Sequence, residues 1–289
     1  MPWTRIFSGL VAIALALSVT LLGGWYFTLG FAIIVYLGQI EFFQLVQAKG
    51  IVPAKKTTLL VSQALLIIST VSGVLTDAVV PIAGTFICFY LLFQPKLASI
   101  ADISTSILGL FYGGYLPSFW VRLRSLGAIE SSNLPLWGYW PQMPIHSLPT
   151  GLTMTLLAFA SIWAADIGAY TVGRLFGRTR LSNISPKKTV EGAVFGVLGS
   201  IGVATCGAWY LDWPFWVATG VVLGLLIGIA SLLGDLTESV MKRDAGVKDS
   251  GQLIPGHGGI LDRADSYVFT APLVYGFVTL LLPWLEQLT

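Results

Sequence analysis

Charge is what this sequence has least of. Its 16 basic and 14 acidic side chains make up 10% of 289 residues, against about 25% in an ordinary soluble domain. That is too little polarity to solvate a surface for this mass, which excludes a soluble globule and a disordered chain. Two cysteines, Cys88 and Cys206, exclude a disulfide scaffold. Both lie in apolar runs and are expected to be small buried hydrophobes. The sequence contains no G-x-x-x-x-G-K-[ST], H-E-x-x-H or G-x-S-x-G motif, so P-loop hydrolysis, zinc proteolysis and the nucleophile elbow lack their usual signatures. A net charge of +2 gives no reason to expect a nucleic-acid partner. What is present is apolar: 55% of residues are hydrophobic and the mean hydropathy is +0.80.

Runs of about 20 apolar residues span a bilayer as helices, because lipid offers the backbone no hydrogen-bond partners. The sequence predicts an all-α, polytopic integral membrane protein with about nine such helices. They fall near 5–22, 25–46, 58–76, 78–94, 100–119, 150–173, 191–211, 214–240 and 265–285. The first follows Arg5 and could pass for a signal peptide, but another apolar run follows at once, so it is read as a membrane helix. With a cytoplasmic N-terminus, 14 of the 16 basic residues collect on one face, leaving only Arg122 and Arg124 outside. The active site is then expected toward the cytoplasm, in a cell inner membrane. Three regions are expected. Residues 1–119 form N-terminal spans, 120–149 form a non-cytoplasmic interfacial loop rich in Pro and Trp, and 150–289 form a catalytic membrane region. His146, in that loop, is expected to be interfacial. Glycines 220, 224 and 228, and 192 and 196, have the spacing of close helix packing.

Nine of the 14 acids lie between Asp166 and Asp265. An ionised side chain at mid-bilayer costs at least about 2.5–3.5 kcal/mol, so an acid inside a span is a functional hypothesis by default. Asp166, Asp235, Glu238, Asp262 and Asp265 all sit toward the cytoplasmic ends of their expected helices. Asp262 and Asp265 are three apart and share a helix face. Ser231, Asp235, Glu238 and Lys242 form one polar stripe on an apolar helix. Carboxylates converging without soft ligands suit a hard cation such as Mg²⁺. Acids paired with Arg or Lys for packing remain the plain alternative.

Cations supply the other half. Ser185-Pro-Lys-Lys-Thr189 is a loop with two lysines and two hydroxyls, immediately before Glu191 and a helix N-terminus that favours anions. Lys242, Arg243 and Lys248 form a second cluster. The turn Gly256-His257-Gly258-Gly259 leads into Asp262. Together these could cradle a polyphosphate beside a metal, although positive-inside loops on an anionic leaflet would look similar.

The run Ser239 to Asp265 resembles the signature of the phosphatidate cytidylyltransferase (CDP-diacylglycerol synthase) family, through Ser239, Lys242, Arg243, Lys248, Asp249, His257, Gly258, Gly259, Asp262, Arg263 and Asp265. Ala165-Asp-Ile-Gly-Ala-Tyr170, Ser185 to Thr189 with Glu191-Gly192, and Gly234-Asp-Leu-Thr-Glu-Ser239 are similar to further parts of that family. The likeness covers roughly residues 150–285. Ala264 stands where the family usually has a bulkier aliphatic or Thr. The resemblance implies a homodimeric membrane enzyme that makes CDP-diacylglycerol and pyrophosphate from CTP and phosphatidic acid with Mg²⁺, a second cation being left open. It implies Asp235, Asp262 and Asp265 as metal ligands. Lys242 and Arg243 would join them at the reacting phosphates. Ser185, Lys187, Lys188, Thr189, Glu191, Ser239, Lys248, Asp249, His257, Gly258, Gly259, Arg263, Asp166 and Tyr170 would surround the substrates. A cation-coupled transporter would also carry intramembrane acids, and a CTP-dependent lipid kinase is a nearer rival. The clustered cations and the glycine turn favour polyphosphate chemistry.

Overall fold

The structure, a computed structural model, describes residues 2–141, 148–253 and 258–288. His146 and His257 lie outside them. Helices account for nearly all regular structure, and among the described residues there is no strand, only the isolated bridges Leu134–Gly138 and Arg180–Thr189. The helices are α1 Pro2–Leu22, α2 Gly24–Ala48, α3 Lys55–Val71, α4 Gly73–Leu92, α5 Ile100–Leu110, α6 Leu116–Arg124, α7 Thr150–Phe176, α8 Val190–Tyr210, α9 Trp216–Asp244, α10 Leu261–Gly276 and α11 Leu282–Glu286. Single π-helical turns, Phe111–Tyr115 and Phe277–Leu281, join α5 to α6 and α10 to α11. The described helices therefore make nine continuous rods, at the positions expected for spans. Six are long and apolar enough to cross a membrane: α2, α4, α7, α8, α9 and the α10–α11 rod. The chain is an all-α integral membrane protein.

Without a hydrophobic force between helices in lipid, association depends on close packing, and small residues permit it. A Cβ on Gly192 or Gly196 would stand 2.7 Å from the carbonyl oxygen of Ala169 or Ala165 on α7, and one on Gly228 would stand 3.0 Å from the Cα of Val197 on α8. Gly220 and Gly224 touch Thr205 and Ile201 of α8 in the same way. The expected glycine stripes thus bind α7, α8 and α9 into a three-helix sheaf, and α10 packs on α9 and α6.

Three expectations shift. The break between the third and fourth rods comes at Ser72, several residues early, because the Ser72 side chain accepts from the Leu75 N–H and starts α4. The chain stays helical through Arg124, so the connecting segment starts at 125. Arg122 and Arg124 are 3% and 1% exposed. Arg124 donates from Nε to the Thr20 carbonyl (2.6 Å) and from Nη2 to that of Leu21 (2.9 Å), which satisfies the end of α1. Arg122 donates to Asp77 at 2.8 Å and lies 4.3 Å over the Phe119 ring. Finally, Cys206 is exposed on the surface of α8 rather than buried, and Cys88 is half-buried; a span needs no protein cover for an apolar side chain that lipid can cover.

Gly224→Leu should force α9 away from α8 and cost about 1–3 kcal/mol, read as a lower unfolding temperature in detergent. Gly202→Ala should not lower that temperature, since nothing lies within 4 Å of a Cβ there.

Candidate active site

Glycine also sets the geometry of the site. A Cβ on Gly234 of α9 would run into the Asp265 carbonyl of α10, so the two backbones touch where both helices carry acids. One consequence is that ligand atoms of Asp235, Glu238 and Asp265 lie within 4.8 Å of one another. Glu238 is fully buried and Asp265 is 8% exposed. Asp235 keeps a side chain 37% exposed and pairs with Lys188.

The stripe along α9 forms as expected. Ser231 and Ser239 are buried, and Lys242 places its Nζ 2.5 Å from both Glu238 Oε2 and Asp262 Oδ1. Lys242 thus joins Asp262 to the cluster without making it part of the tight group. Asp262 Oδ2 accepts from the Ser250 N–H (3.0 Å), the Ser250 hydroxyl (3.0 Å) and the Gly259 N–H (2.9 Å). Its neighbour Gly258 takes φ +84°, a conformation an L side chain rarely adopts. Asp166 is on the exposed face of α7, with Ser231 and Asp235 among its electrostatic neighbours. Tyr170, one turn on, is 63% exposed and accepts from Arg174 at 2.9 Å.

The Ser185–Thr189 loop is a turn built to present Lys188. Lys188 N–H donates to the Ser185 carbonyl (3.0 Å), and Leu181 N–H donates to the Lys188 carbonyl (2.9 Å). Thr189 caps α8 by accepting from the Gly192 N–H at 3.1 Å. The Glu191 carboxylate accepts from the Arg178 and Thr179 N–H groups at 3.2 and 3.1 Å. Thr189 and Glu191 therefore shape the loop. Arg243 donates to the Ile184 carbonyl at 3.5 Å and to that of Val247 at 3.0 Å, holding the loop to the end of α9. Lys187, Lys248, Asp249 and Arg263 are exposed around this end.

Two residues of the N-terminal half belong here that sequence reasoning passed over. Glu41 of α2 is 5% exposed. It accepts from the Ile260 N–H (3.0 Å), the Leu261 N–H (2.8 Å) and the Ser250 hydroxyl (2.9 Å), and so caps the start of α10 from another helix. Gly259 lacks a Cβ because Ser250 and Glu41 fill that space. Tyr112, on the first π-helical turn, is 2% exposed. Its hydroxyl has no hydrogen-bond partner among the described residues, and Asp265, Glu238 and Asp235 are its electrostatic neighbours. The available signals were a glutamate inside an apolar run and the Gly-Gly pair after Tyr112.

All donors in the tight group are carboxylate oxygens, with no thiol or imidazole, and three of them crowd into a largely apolar surrounding. Like charges 4 Å apart repel by about 4 kcal/mol at an effective dielectric constant of 20, so cations stabilise the ionised group. The donor set fits a hard divalent ion. Carboxylates flanked by lysines at one end of an apolar bundle are chemistry suited to a phosphate ester.

The chain belongs to the cytidylyltransferase family, whose profile matches residues 3–281. It is 66% identical to a protein named phosphatidate cytidylyltransferase from Synechocystis sp., with all of both chains covered. It is 44% identical to the chloroplastic phosphatidate cytidylyltransferase 4 of Arabidopsis thaliana, covering 90% of this chain and 69% of that one. A Staphylococcus aureus phosphatidate cytidylyltransferase is 44% identical over 127 residues, 43% of this chain and 48% of its own.

Glu41→Ala should leave the Ile260 and Leu261 N–H groups unpaired. A loss of about 1–3 kcal/mol should appear as a lower unfolding temperature, with faster amide exchange at residues 258–262 and none in the α7–α8 contact. Unchanged exchange at 258–262 would show that Glu41 does not hold this turn.

Proposed function

We propose that this enzyme transfers the cytidylyl group of CTP to phosphatidic acid, giving CDP-diacylglycerol and pyrophosphate. The observation that carries the reading is the joining of a carboxylate cluster to two lysines, Lys188 and Lys242, from different elements. A phosphate oxygen of the lipid attacks the α-phosphorus of CTP, a new P–O bond forms, and the bond to the β-phosphate oxygen breaks to release pyrophosphate. The nucleophile is already an anion at neutral pH, so no strong general base is needed, in keeping with a sequence that has two histidines.

Asp235, Glu238 and Asp265 would hold Mg²⁺, with Asp262 beside them. When bound, such an ion supplies neutralising charge to the reacting phosphate oxygens. Lys188 and Lys242 hold carboxylates in this structure and would turn to the triphosphate, with Lys187 and Arg243 at its rim. Ser185, Thr189 and Glu191 fix the turn that carries Lys188. Ser239, Lys248, Asp249, His257, Gly258, Gly259 and Arg263 would line the nucleotide side, and Asp166 and Tyr170 the lipid side on α7. The excess of basic residues at this end supports a cytoplasmic orientation, where CTP arrives, in an inner membrane. The homodimer implied by the resemblance is open to light scattering of the detergent-solubilised protein.

Purified protein, labelled CTP, phosphatidic acid and Mg²⁺ should give labelled CDP-diacylglycerol and pyrophosphate. CTP-dependent phosphorylation of a lipid alcohol would mark a kinase instead, and no turnover with either lipid would remove the enzyme reading. Asp265→Asn should lower turnover at least about 100-fold, because several kcal/mol of charge stabilisation are at stake at 1.36 kcal/mol per decade. Near-normal turnover would remove the metal role.

Lys188→Ala should raise the KM for CTP about tenfold, the worth of one hydrogen bond to a charged group. An unchanged CTP response would reduce the Ser185–Thr189 loop to a topology signal.

A further inference from the structure

A second basic feature lies at the same end of the bundle. The C-terminus of α2 is tied to the C-terminus of α9 by the Lys49–Asp244 ion pair at 3.0 Å. Just beyond it, where α2 gives way to α3 and α4 gives way to α5, is a cavity of about 560 Å³. Its walls carry Lys55, Lys56 and Lys96, together with the amides of Gln47 and Gln94. None of the carboxylates or lysines of the cluster described above lines it.

The cavity is built for an anion. Its only acid, Asp102, is already committed. It accepts from the Val52 N–H (2.7 Å), the Ser99 N–H (2.7 Å) and the Ser99 hydroxyl (2.8 Å), and closes the capping box of α5. The three lysines form no ion pair among the described residues. Lys55 and Lys56 also open α3, a 17-residue helix with no side-chain cap, so the positive end of its dipole adds to their charge.

The remainder of the lining is apolar and partly exposed on the protein surface. Val52, Tyr90 and Leu97 line it and are 54%, 38% and 86% exposed. Phe93 and Ile100 flank the same loop at 82% and 85% exposure. Side chains of this kind, left uncovered on a membrane protein, set a segment at the level where acyl chains meet headgroups. A free inorganic anion would have no use for that wall.

We propose that this cavity binds the phosphate headgroup of an anionic glycerophospholipid, at a site separate from the carboxylate cluster. The lysines and the α3 N-terminus hold the phosphate, and Val52, Tyr90 and Leu97 take the glycerol and the first acyl carbons. The site does not depend on which reaction the cluster performs.

The test is lipid retention by the full chain, read by native mass spectrometry after exchange into detergent holding equal phosphatidylglycerol and phosphatidylcholine. The wild type should retain phosphatidylglycerol over phosphatidylcholine. The triple variant Lys55→Gln/Lys56→Gln/Lys96→Gln should lose that preference about tenfold, the Lys→Arg triple should keep it, and Lys49→Gln, which neutralises a lysine outside the cavity, should keep it too. Lys96→Gln alone, on an exposed loop where folding is not at risk, should weaken it about threefold. Equal retention by wild type and both Gln variants would overturn the proposal, as would a loss in Lys49→Gln as large as in the triple. Displacement of the lipid by millimolar inorganic phosphate would mean that the cavity takes a free anion, and would overturn the lipid assignment.

Discussion

Carboxylates held close together at one end of an apolar bundle are the constraint on which the rest of the molecule turns. Asp235, Glu238 and Asp265 repel one another, and lipid-embedded helices provide little solvent to screen them. Lys188 and Lys242 are the answer within the chain, one from a loop and one from α9 itself. Lys242 comes up the same stripe of α9, one turn beyond Glu238. Lys188 arrives on a turn stitched by Ser185, Thr189 and Glu191. The local structure of that turn makes sense chiefly as the support of one ammonium group opposite Asp235.

Such a cluster also needs its backbones fixed, and Gly234 lets α9 and α10 touch beside the acids. Glu41 stabilises that arrangement from outside. By capping the first N–H groups of α10 it sets where Asp262 and Asp265 begin their helix, and through Ser250 it reaches the segment that also holds Asp262. The N-terminal helices therefore brace the acids as well as spanning the membrane. The π-helical turn at Phe111–Tyr115 contributes similarly. Gly114 within it lies against Ser62 of α3, and Tyr112 sits beside Phe269 of α10, with ring centroids 5.6 Å apart.

Much of this was legible in the sequence, for reasons that differ by element. Rod positions follow from apolar run length, which lipid enforces strictly. The stripe Ser231, Asp235, Glu238 and Lys242 was visible because helical spacing alone puts it on one face. The grouping of Glu238, rather than Asp262, with Asp235 and Asp265 was not visible, since it depends on the Gly234 contact and on Lys242 standing between Glu238 and Asp262. Glu41 was passed over because its partners are backbone N–H groups more than 200 residues away, and backbone donors have no sequence signature. Arg122 and Arg124 are the two basic residues expected apart from the basic face. Their burial against Asp77 and the end of α1 is a tertiary event that charge counting does not register.

The end-of-bundle location follows from the solvents the two proposed substrates occupy. A lipid phosphate sits at headgroup level and cannot descend without losing hydration, while a nucleotide triphosphate cannot enter hydrocarbon at all. The overlap of their ranges is a layer a few ångströms deep, and a cluster at mid-span would serve neither. Helix ends are the one part of an all-α membrane protein that falls in that layer, and there backbone donors such as those of Gly259, Ile260 and Leu261 become available to organise charge. The Lys55–Lys56–Lys96 cavity lies at the same end of the bundle. α2 borders both features, giving Glu41 to one and Gln47 to the other within six residues, and its end is locked to α9 by Lys49 and Asp244. The chain concentrates its few charges where water, headgroup and helix terminus coincide, because elsewhere in the bilayer each would cost more than it could return.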